Sequence, residues 1–323
     1  MNYRELGTTG VKVSELSLGC WTLGGLNWAD GQPNGWANVD EAECIRAIRL
    51  ALDRGVNHFD NADVYGNGRA ERMLAKGLGS DSGNVVVATK VGHFPGTAGH
   101  AYEPLHIRHQ CEQSLVNLKR DFIDVYYFHH GNFGENDRYL DDAVEMAYRL
   151  KDEGKIRVIG LSAYSNEDFL RLVPRIQPQV LQSWANMHDN HYIAEGHPVR
   201  KLMDERKISF VAFGPLKKGL MLGKYSPKNP PKFEPGDHRA SSQSFSMEEL
   251  AKIEPKIEKM KARFGARTED LSRAALQYLF AQPCVACVIP GFRNSAQVEM
   301  NLSAEGKPLT RADVNYINEI WRI

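Results

Sequence analysis

The chain alternates short apolar segments with longer amphipathic ones, and this alternation constrains the fold more than any other feature. Segments rich in Val, Ile, Phe and Tyr occur at 13–20, 56–62, 84–90, 122–130, 156–163, 178–183, 208–215 and 284–291. Stretches with apolar residues at i, i+3 and i+4 lie between them, at 40–55, 105–120, 139–154, 197–207 and 268–282. Eight strands with intervening helices predict an α/β protein, a (β/α)8 TIM barrel, over an open doubly wound sheet. No linker divides it, so we expect a single domain over residues 1–323.

Several segments lie outside this repeat. The opening YRELGTTGVKVSEL has a Gly-Thr-Thr-Gly turn between two short apolar runs, which predicts a β-hairpin that would plug the N-terminal face of the barrel. Long irregular loops follow the first and seventh strands, at 25–40 and 217–246. Loops of this length in a compact domain are usually functional, so we expect lids. The segment 247–265 predicts an additional helix.

Composition excludes several classes of protein. Lys and Arg total 40 and Asp and Glu total 40, so the net charge of zero gives no basic footprint for nucleic acid. The sequence has neither a membrane-length apolar run nor a signal-peptide core, which predicts a cytoplasmic protein with no membrane partner. The five cysteines are odd in number and scattered, as in a reducing compartment. The spacing of Cys284 and Cys287 resembles a metal or redox motif, but the run QPCVACVIPG favours a buried strand.

Polar residues follow the predicted strands at the end where a barrel carries its active site. Asp60 and Tyr65 follow the second strand, Lys90 the third, and His129 and His130 the fourth. A lysine near a tyrosine stabilises the phenolate and lowers the phenol pKa, and an aspartate can hold that lysine in place. A histidine beside them can orient a carbonyl group. This combination favours general-acid catalysis of carbonyl reduction.

Carbonyl reduction needs a hydride donor, yet the usual dinucleotide fingerprint is missing. The segment GNGRAE at 66–71 begins like GxGxxG but lacks the third glycine and follows a loop. Better candidates for phosphate binding lie at 214–224 and 290–301, where glycines, basic residues and a helix start converge. Asn294 or Ser295 is the expected N-cap of that helix.

Six segments, in this order, resemble the aldo-keto reductase superfamily: FDNADVYGNGRAE, VVVATK, IDVYYFHH, GKIRVIGLSAYS, AFGPLKKGLMLGKY and VIPGFRNSAQVEMNL. The opening YRELGTTGVKVSELSLG is similar to the superfamily's N-terminal signature, so the resemblance covers essentially the whole chain. The long segment KYSPKNPPKFEPGDHRA resembles the bacterial and plant branch that includes potassium-channel β subunits.

The resemblance implies a barrel that binds a nicotinamide cofactor, typically NADPH, without a Rossmann domain. It implies a catalytic tetrad of Asp60, Tyr65, Lys90 and His129, in which Tyr65 is the general acid, Lys90 lowers its pKa, Asp60 anchors Lys90, and His129 orients the carbonyl. It implies these cofactor-binding residues: Trp21, Ser162, Gln182, Phe213, Gly214, Leu216, Gly219, Lys224, Gly291, Arg293, Gln297 and Asn301. Among them, Arg293 suits a 2′-phosphate and so favours NADPH over NADH.

Some positions depart from the superfamily's pattern. Ala163 stands where an asparagine usually helps to bind the carboxamide, and Gln297 and Met300 replace a frequent arginine and glutamate near the adenine. Phe213 replaces a common tyrosine that stacks on the nicotinamide. The sequence HGN after His129 stands where an aromatic residue and a proline are usual.

The substrate pocket and the metal content are predicted from loop residues. Candidates for the substrate pocket lie in the predicted strand-end loops, since tryptophan offers a large amphipathic face, although ordinary loop packing is an equal alternative for them: Trp21, Trp28, Trp36, Phe94 and Trp184. His130 is a further candidate. The segment HDNH at 188–191 lacks a metal-site spacing, so we expect no metal.

The expected function is NADPH-dependent reduction of a small aldehyde or ketone, for example a sugar or a natural-product carbonyl. Two alternatives stay open. One is a cofactor-binding, redox-sensing regulatory subunit with slow turnover, and the other is NAD(P)-dependent oxidation of a sugar or alcohol. The sequence does not predict the oligomeric state.

Overall fold

The predicted alternation forms a parallel barrel preceded by a hairpin. The computed structural model describes residues 1–29 and 31–322. Within these residues the strands are β1 Tyr3–Glu5, β2 Lys12–Ser14, β3 Leu18–Gly19, β4 Trp28–Ala29, β5 Gln32–Pro33, β6 His58–Asp60, β7 Val86–Val91, β8 Ile123–Phe128, β9 Ile156–Ser162, β10 Val180–Trp184, β11 Ser209–Phe213 and β12 Val285–Ile289.

Eight of these strands form the barrel wall, in the order β3, β6, β7, β8, β9, β10, β11 and β12, all parallel across residues 18–29 and 31–289. The wall closes through parallel bridges between Leu16 and Val288 and between Gly19 and Gly291. The (β/α)8 fold is therefore confirmed. The first predicted strand, 13–20, is split into β2 and β3, because the chain turns at Glu15–Ser17 from the hairpin into the barrel wall. In this turn the Ser17 hydroxyl donates to the Ser14 carbonyl at 2.9 Å.

Helices surround the wall. Within the described residues they are α1 Glu41–Asp53, α2 Arg69–Leu78, α3 Pro104–Leu118, α4 Leu140–Asp152, α5 Asn166–Ile176, α6 Pro198–Arg206, α7 Met247–Phe264, α8 Thr268–Phe280, α9 Ser295–Leu302 and α10 Arg311–Trp321. The additional helix predicted at 247–265 is α7. Asn294 caps α9, accepting a hydrogen bond from the Gln297 amide at 2.9 Å, which confirms the first of the two predicted caps.

The N-terminal hairpin β1–β2 fills the bottom of the barrel. Leu6 and Val13 are fully buried against side chains that point into the barrel, among them Val125, Val180 and Val211. Burying these side chains removes apolar surface from water and stabilises the closed bottom. The predicted plug is confirmed, and the barrel opens at its other end.

The CxxC segment packs as the sequence predicts. Cys284 immediately precedes β12 and Cys287 lies within it, and both side chains are buried. Burial raises the pKa of Cys284 to about 11 and that of Cys287 to about 12, so both thiols are protonated at neutral pH. These cysteines are packing residues.

The two long loops, 25–40 and 217–246, pack against each other. A backbone bridge joins Gly35 to Asp237, and the Ala37 amide donates to the Asp237 carboxylate at 3.1 Å. Both loops supply walls of the cavity described below, at the carboxyl ends of the strands. None of the helices in residues 1–29 and 31–322 has the length and apolar content needed to span a membrane.

Candidate active site

The carboxyl ends of the barrel strands open into a cavity of about 880 Å³. Strand ends and the two long loops line it together. Most of the predicted site residues lie on its wall: Trp21, Asp60, Tyr65, His129, Ser162, Gln182, Phe213, Gly214, Leu216, Gly219, Lys224, Gly291, Arg293 and Gln297. A cavity of this size is within the range of cofactor and substrate sites.

A buried ion pair forms the floor of the cavity. The Lys90 ammonium donates to the Asp60 carboxylate at 2.5 Å and to the Asn61 carbonyl at 2.6 Å, and it lies 3.4 Å from the Tyr65 hydroxyl. The Gln182 amide donates to the other oxygen of Asp60 at 2.7 Å. Lys90 is 1% exposed, so each of these bonds offsets the cost of burying its charge. The network fixes Lys90 beneath Tyr65.

The pKa of Tyr65 differs from the sequence prediction. Lys90 was expected to lower it, yet burial and the Asp60 carboxylate hold it well above its usual value. The positive charge of Lys90 does not outweigh these effects in the free protein, because Asp60, 2.5 Å from its ammonium, neutralises part of that charge. The Tyr65 side chain is therefore a protonated phenol at neutral pH.

His129 lies beside Tyr65, with 5.9 Å between the ring centroids. Burial and the neighbouring His93 hold its pKa well below the usual value, so the imidazole is neutral. Its Nδ1 atom is buried and has no hydrogen-bond partner among residues 1–29 and 31–322. A neutral imidazole facing the cavity can hydrogen-bond a carbonyl group without carrying charge.

Trp28, Phe94 and His130 do not line the cavity, which corrects the sequence prediction for these three, whereas the other predicted pocket residues, Trp21, Trp36 and Trp184, do line it. His130 turns away, with its Nε2 atom 2.7 Å from the Gly92 carbonyl and its ring against Tyr102. Trp28 is 55% exposed on the small hairpin β4–β5, and Phe94 is 39% exposed on the loop after β7. The directions of these loops are set by contacts distant in sequence, which residue spacing does not show.

Other residues line the cavity that the sequence prediction did not single out. They are Asn34, Val64, His93, Tyr164, Asn186, Asp189, Arg239 and Ser244, among others. His93 and Tyr164 follow the ends of β7 and β9 by two residues each. That position after a strand end is a signal in the sequence that could have identified both.

The cavity is strongly cationic at one end. Lys218, Lys224, Arg239 and Arg293 come from the loop after β11 and from the turn before α9. Burial, and then the positive charge of Arg239, lower the pKa values of Lys218, Lys224 and Arg293. Of the four, only Arg239 pairs with a carboxylate within the described ranges, that of Asp237 at 2.8 Å. Accessible cations without a carboxylate partner, gathered at one end of a cavity, fit a ligand that carries phosphate groups.

The backbone of this end also suits a bound anion. Lys217, Lys218 and Gly219 all have positive φ angles, of 44°, 57° and 96°. Non-glycine residues in this region are strained, and such strain is concentrated at ligand-binding and catalytic sites. Together with the free cations, this turn could hold the phosphates of a nicotinamide dinucleotide, whose nicotinamide would then reach the strand ends that carry Ser162 and Gln182.

Asn301 is the exception among the predicted cofactor-binding residues. It is fully buried behind the cavity wall, and its amide donates to the Gly291 carbonyl at 3.5 Å. Its Oδ1 atom has no partner within the described part of the chain. In this structure Asn301 contacts the turn that carries Gly291 and does not reach the cavity itself.

The sequence of the chain is similar to those of several known proteins. An uncharacterized oxidoreductase of Bacillus subtilis, YqkF, is 28% identical over 97% of this chain and 94% of its own length. L-galactose dehydrogenase of Arabidopsis thaliana is 26% identical over 93% of this chain and 87% of its own. A probable voltage-gated potassium channel β subunit of Arabidopsis is 28% identical over 94% and 91%, as the resemblance implies.

A solved structure shows the same architecture. The holo form of the aldo-keto reductase AKR11C1 from Bacillus halodurans superimposes with a TM-score of 0.77 at 26% identity, over 99% of this chain and 96% of its own. The model of the Aldo/keto reductase family matches residues 15–322. The chain, with its barrel and strand-end cavity, therefore belongs to the aldo/keto reductase family of NAD(P)H-dependent oxidoreductases.

Proposed function

We propose that the protein reduces an aldehyde or ketone to an alcohol with NADPH, and that Tyr65 is the proton donor. One observation carries the proposal. The Tyr65 hydroxyl, a protonated phenol, lies at the floor of the cavity 3.4 Å from the Lys90 ammonium and beside the neutral ring of His129. Family membership supports the reaction class, and the residue assignments are our own.

The proposed roles follow from the charges of the side chains. When bound, the nicotinamide cofactor would supply a hydride to the carbonyl carbon. His129 donates a hydrogen bond to the carbonyl oxygen and orients it, and Tyr65 transfers its proton to that oxygen as negative charge develops there. An alkoxide is a stronger base than a phenolate, so the transfer is favourable even though the pKa of Tyr65 is raised. Lys90 then stabilises the phenolate, and Asp60 holds Lys90 in place.

NADPH is the cofactor that the cationic end of the cavity favours. Ser162 and Gln182 would hold the carboxamide, Phe213 would stack on the nicotinamide, and Lys224 with the turn at 217–219 would hold the pyrophosphate. Arg293 presents a guanidinium that no carboxylate pairs with in residues 1–29 and 31–322, as a 2′-phosphate requires. NADH carries no phosphate at that position.

The test is turnover by the Tyr65→Phe variant. We expect the wild-type protein to oxidise NADPH, followed by its absorbance, with at least one member of a panel of aldehydes and ketones. Tyr65→Phe removes only the proton donor, so its kcat should fall by about 10² to 10⁴ while NADPH binding, measured by fluorescence, is unchanged. Tyr126→Phe is the control, because its buried hydroxyl does not line the cavity.

Two outcomes would contradict the proposal. Near-full activity of Tyr65→Phe would show that another group donates the proton. Tight NADPH binding without turnover of any carbonyl compound would favour a redox-sensing regulatory subunit, a possibility that similarity to the channel β subunit keeps open. Comparison of NADPH with NADH in the same assay tests the cofactor preference.

A further inference from the structure

The cavity wall next to His129 carries a second polar pair that the proposed reduction does not use. The Nε2 atom of His93 lies 3.3 Å from the Tyr164 hydroxyl, and both side chains line the cavity. The His93 ring packs edge-on against His129, with 4.4 Å between centroids. The pair is therefore adjacent to His129, whose imidazole would hydrogen-bond the substrate carbonyl.

Both members of the pair are uncharged at neutral pH. Burial in the cavity wall, with smaller effects from His130 and Lys90, lowers the pKa of His93 to about 4, although its ring stays accessible from the cavity. Burial likewise raises the pKa of Tyr164. A neutral imidazole offers one donor and one acceptor, and a phenol offers both. Such a pair suits a hydroxyl group better than a carboxylate or a phosphate.

The scaffold around His93 is well fixed. Next to it in the chain, the Gly92 carbonyl lies 2.7 Å from the Nε2 atom of His130. The backbone of His130 is held in turn by the Tyr102 hydroxyl, which donates to its carbonyl at 2.8 Å and accepts from its amide at 3.0 Å. On the other side of the pair, the Tyr164 ring stacks on the Trp184 ring, with 6.2 Å between the ring centroids. The hydrogen-bonding groups of the pair are thus positioned before a substrate arrives.

We propose that His93 and Tyr164 bind a hydroxyl group on the carbon next to the substrate carbonyl, so that the preferred substrates are uncharged α-hydroxy aldehydes and ketones. The inference rests on the proposed function and deepens it. Lys90 and Asp60 pair with each other, and the nearby Asp189 carboxylate accepts from the Trp184 indole at 2.7 Å, so these charged groups already have partners and leave the hydroxyl to His93 and Tyr164. A site that hydrogen-bonds a substrate hydroxyl discriminates against the analogue that lacks it, because its own polar groups are then left unpaired.

The experiment compares two pairs of compounds that differ by a hydroxyl in place of a methyl group: glycolaldehyde with propanal, and hydroxyacetone with butanone. We expect the wild-type kcat/KM to favour the hydroxylated member of each pair by about tenfold or more. His93→Phe and Tyr164→Phe keep the aromatic rings but lose the hydrogen bonds. Each should remove most of this preference, chiefly by raising KM for the hydroxylated compound, and leave propanal and butanone within about twofold.

The controls separate the possible failures. His109→Phe changes an exposed histidine on α3 and should alter neither compound. Equal losses on both members of a pair would overturn the inference, since His93 or Tyr164 would then act only through the shape of the cavity or through His129. A wild-type protein that reduces both members equally well also overturns it but leaves the proposed function intact. A protein that reduces no carbonyl compound overturns the proposed function and this inference with it.

Discussion

At the scale of single residues, the acid that the fold perturbs most clearly is Asp63, two residues before Tyr65. Its side chain is buried, and one oxygen accepts from the Gln110 amide at 3.0 Å. The other oxygen has no partner among residues 1–29 and 31–322. Burial, together with the nearby Glu71 carboxyl, raises the pKa of Asp63 to about 8. The folded protein therefore holds a proton there that an unfolded chain would release.

This proton makes stability depend on pH, and the variant Asp63→Asn should remove that dependence. The unfolded pKa is near 3.8, below the folded value, so the free energy of unfolding falls as pH rises from about 4 to about 8. Its slope is at most about 1.4 kcal/mol per pH unit. Urea unfolding between pH 5 and pH 8 should give a flatter curve for Asp63→Asn, which gains stability over wild type towards pH 8. Asp53→Asn, on the exposed face of α1, should follow the wild type, and parallel curves for Asp63→Asn would contradict the assigned pKa.

The identities of the site residues were easier to predict from the sequence than the pKa shifts of their side chains. Asp60, Tyr65 and Lys90 could be placed together from sequence, because the carboxyl ends of parallel barrel strands meet at one mouth. The direction of the Tyr65 pKa shift could not, because it depends on how closely Asp60 neutralises Lys90 and how deeply the phenol is buried. Those distances are set by tertiary packing alone.

At the scale of secondary-structure elements, strong hydrophobic periodicity predicted strands and helices correctly, whereas segments with weak periodicity were missed. The barrel strands and α7 were predicted, and α9 was expected from its N-cap, but α2, α5 and α10 were not singled out as helices. The start of α2 follows the turn-like GNG, and α5 contains Pro174, so both show a weak helical signal. Trp28 and Phe94 lie in the predicted strand-end loops but do not line the cavity. The loop of Trp28 is joined to the loop after β11 by the bridge between Gly35 and Asp237, and the Phe94 carbonyl lies 2.7 Å from the His106 ring on α3.

The loop that carries Tyr65 depends on a close backbone approach at Gly66. Its φ angle is 60°, and a Cβ atom there would overlap the Gly24 backbone, in the turn that carries Trp21. Gly154 has a similar φ of 75° but no atom near its missing Cβ. The two glycines thus have the same backbone requirement and differ in available space.

Alanine substitutions at Gly66 and Gly154 distinguish the effect of backbone strain from that of steric overlap. Gly154→Ala should lose about 1 to 2 kcal/mol in the free energy of unfolding, the usual cost of the left-handed conformation. Gly66→Ala should lose more, and its kcat should also fall, because the Tyr65 loop must move away from Gly24. Urea unfolding and the carbonyl assay measure both effects. Equal losses of stability, with kcat unchanged in both variants, would show that the contact between Gly66 and Gly24 does not position Tyr65.

At the scale of the whole molecule, a chain with zero net charge concentrates positive charge in one place. On the surface, opposite charges pair, as between Arg108 and Glu153 at 2.7 Å. Inside the cavity, Lys224 and Arg293 have no carboxylate partner in the described ranges of the chain. The floor that holds Tyr65 instead has its charges paired. The cavity therefore has a cationic end and an end where Lys90 is paired with Asp60. We propose that an anionic cofactor binds at the first end and the substrate at the second.

This division predicts that Arg293→Ala will affect one cofactor far more than the other. The Arg293 guanidinium donates to the Ala37 carbonyl at 2.6 Å, which holds it at the cavity wall. If it binds the 2′-phosphate, its loss should raise KM for NADPH by about 10 to 100-fold, the scale of one or two charge-assisted hydrogen bonds, and leave KM for NADH nearly unchanged. Arg54→Ala, which removes an arginine paired with Glu299 outside the cavity, should change neither. Equal increases for both cofactors would instead assign Arg293 to the loop contact with Ala37 or to a phosphate that both cofactors share.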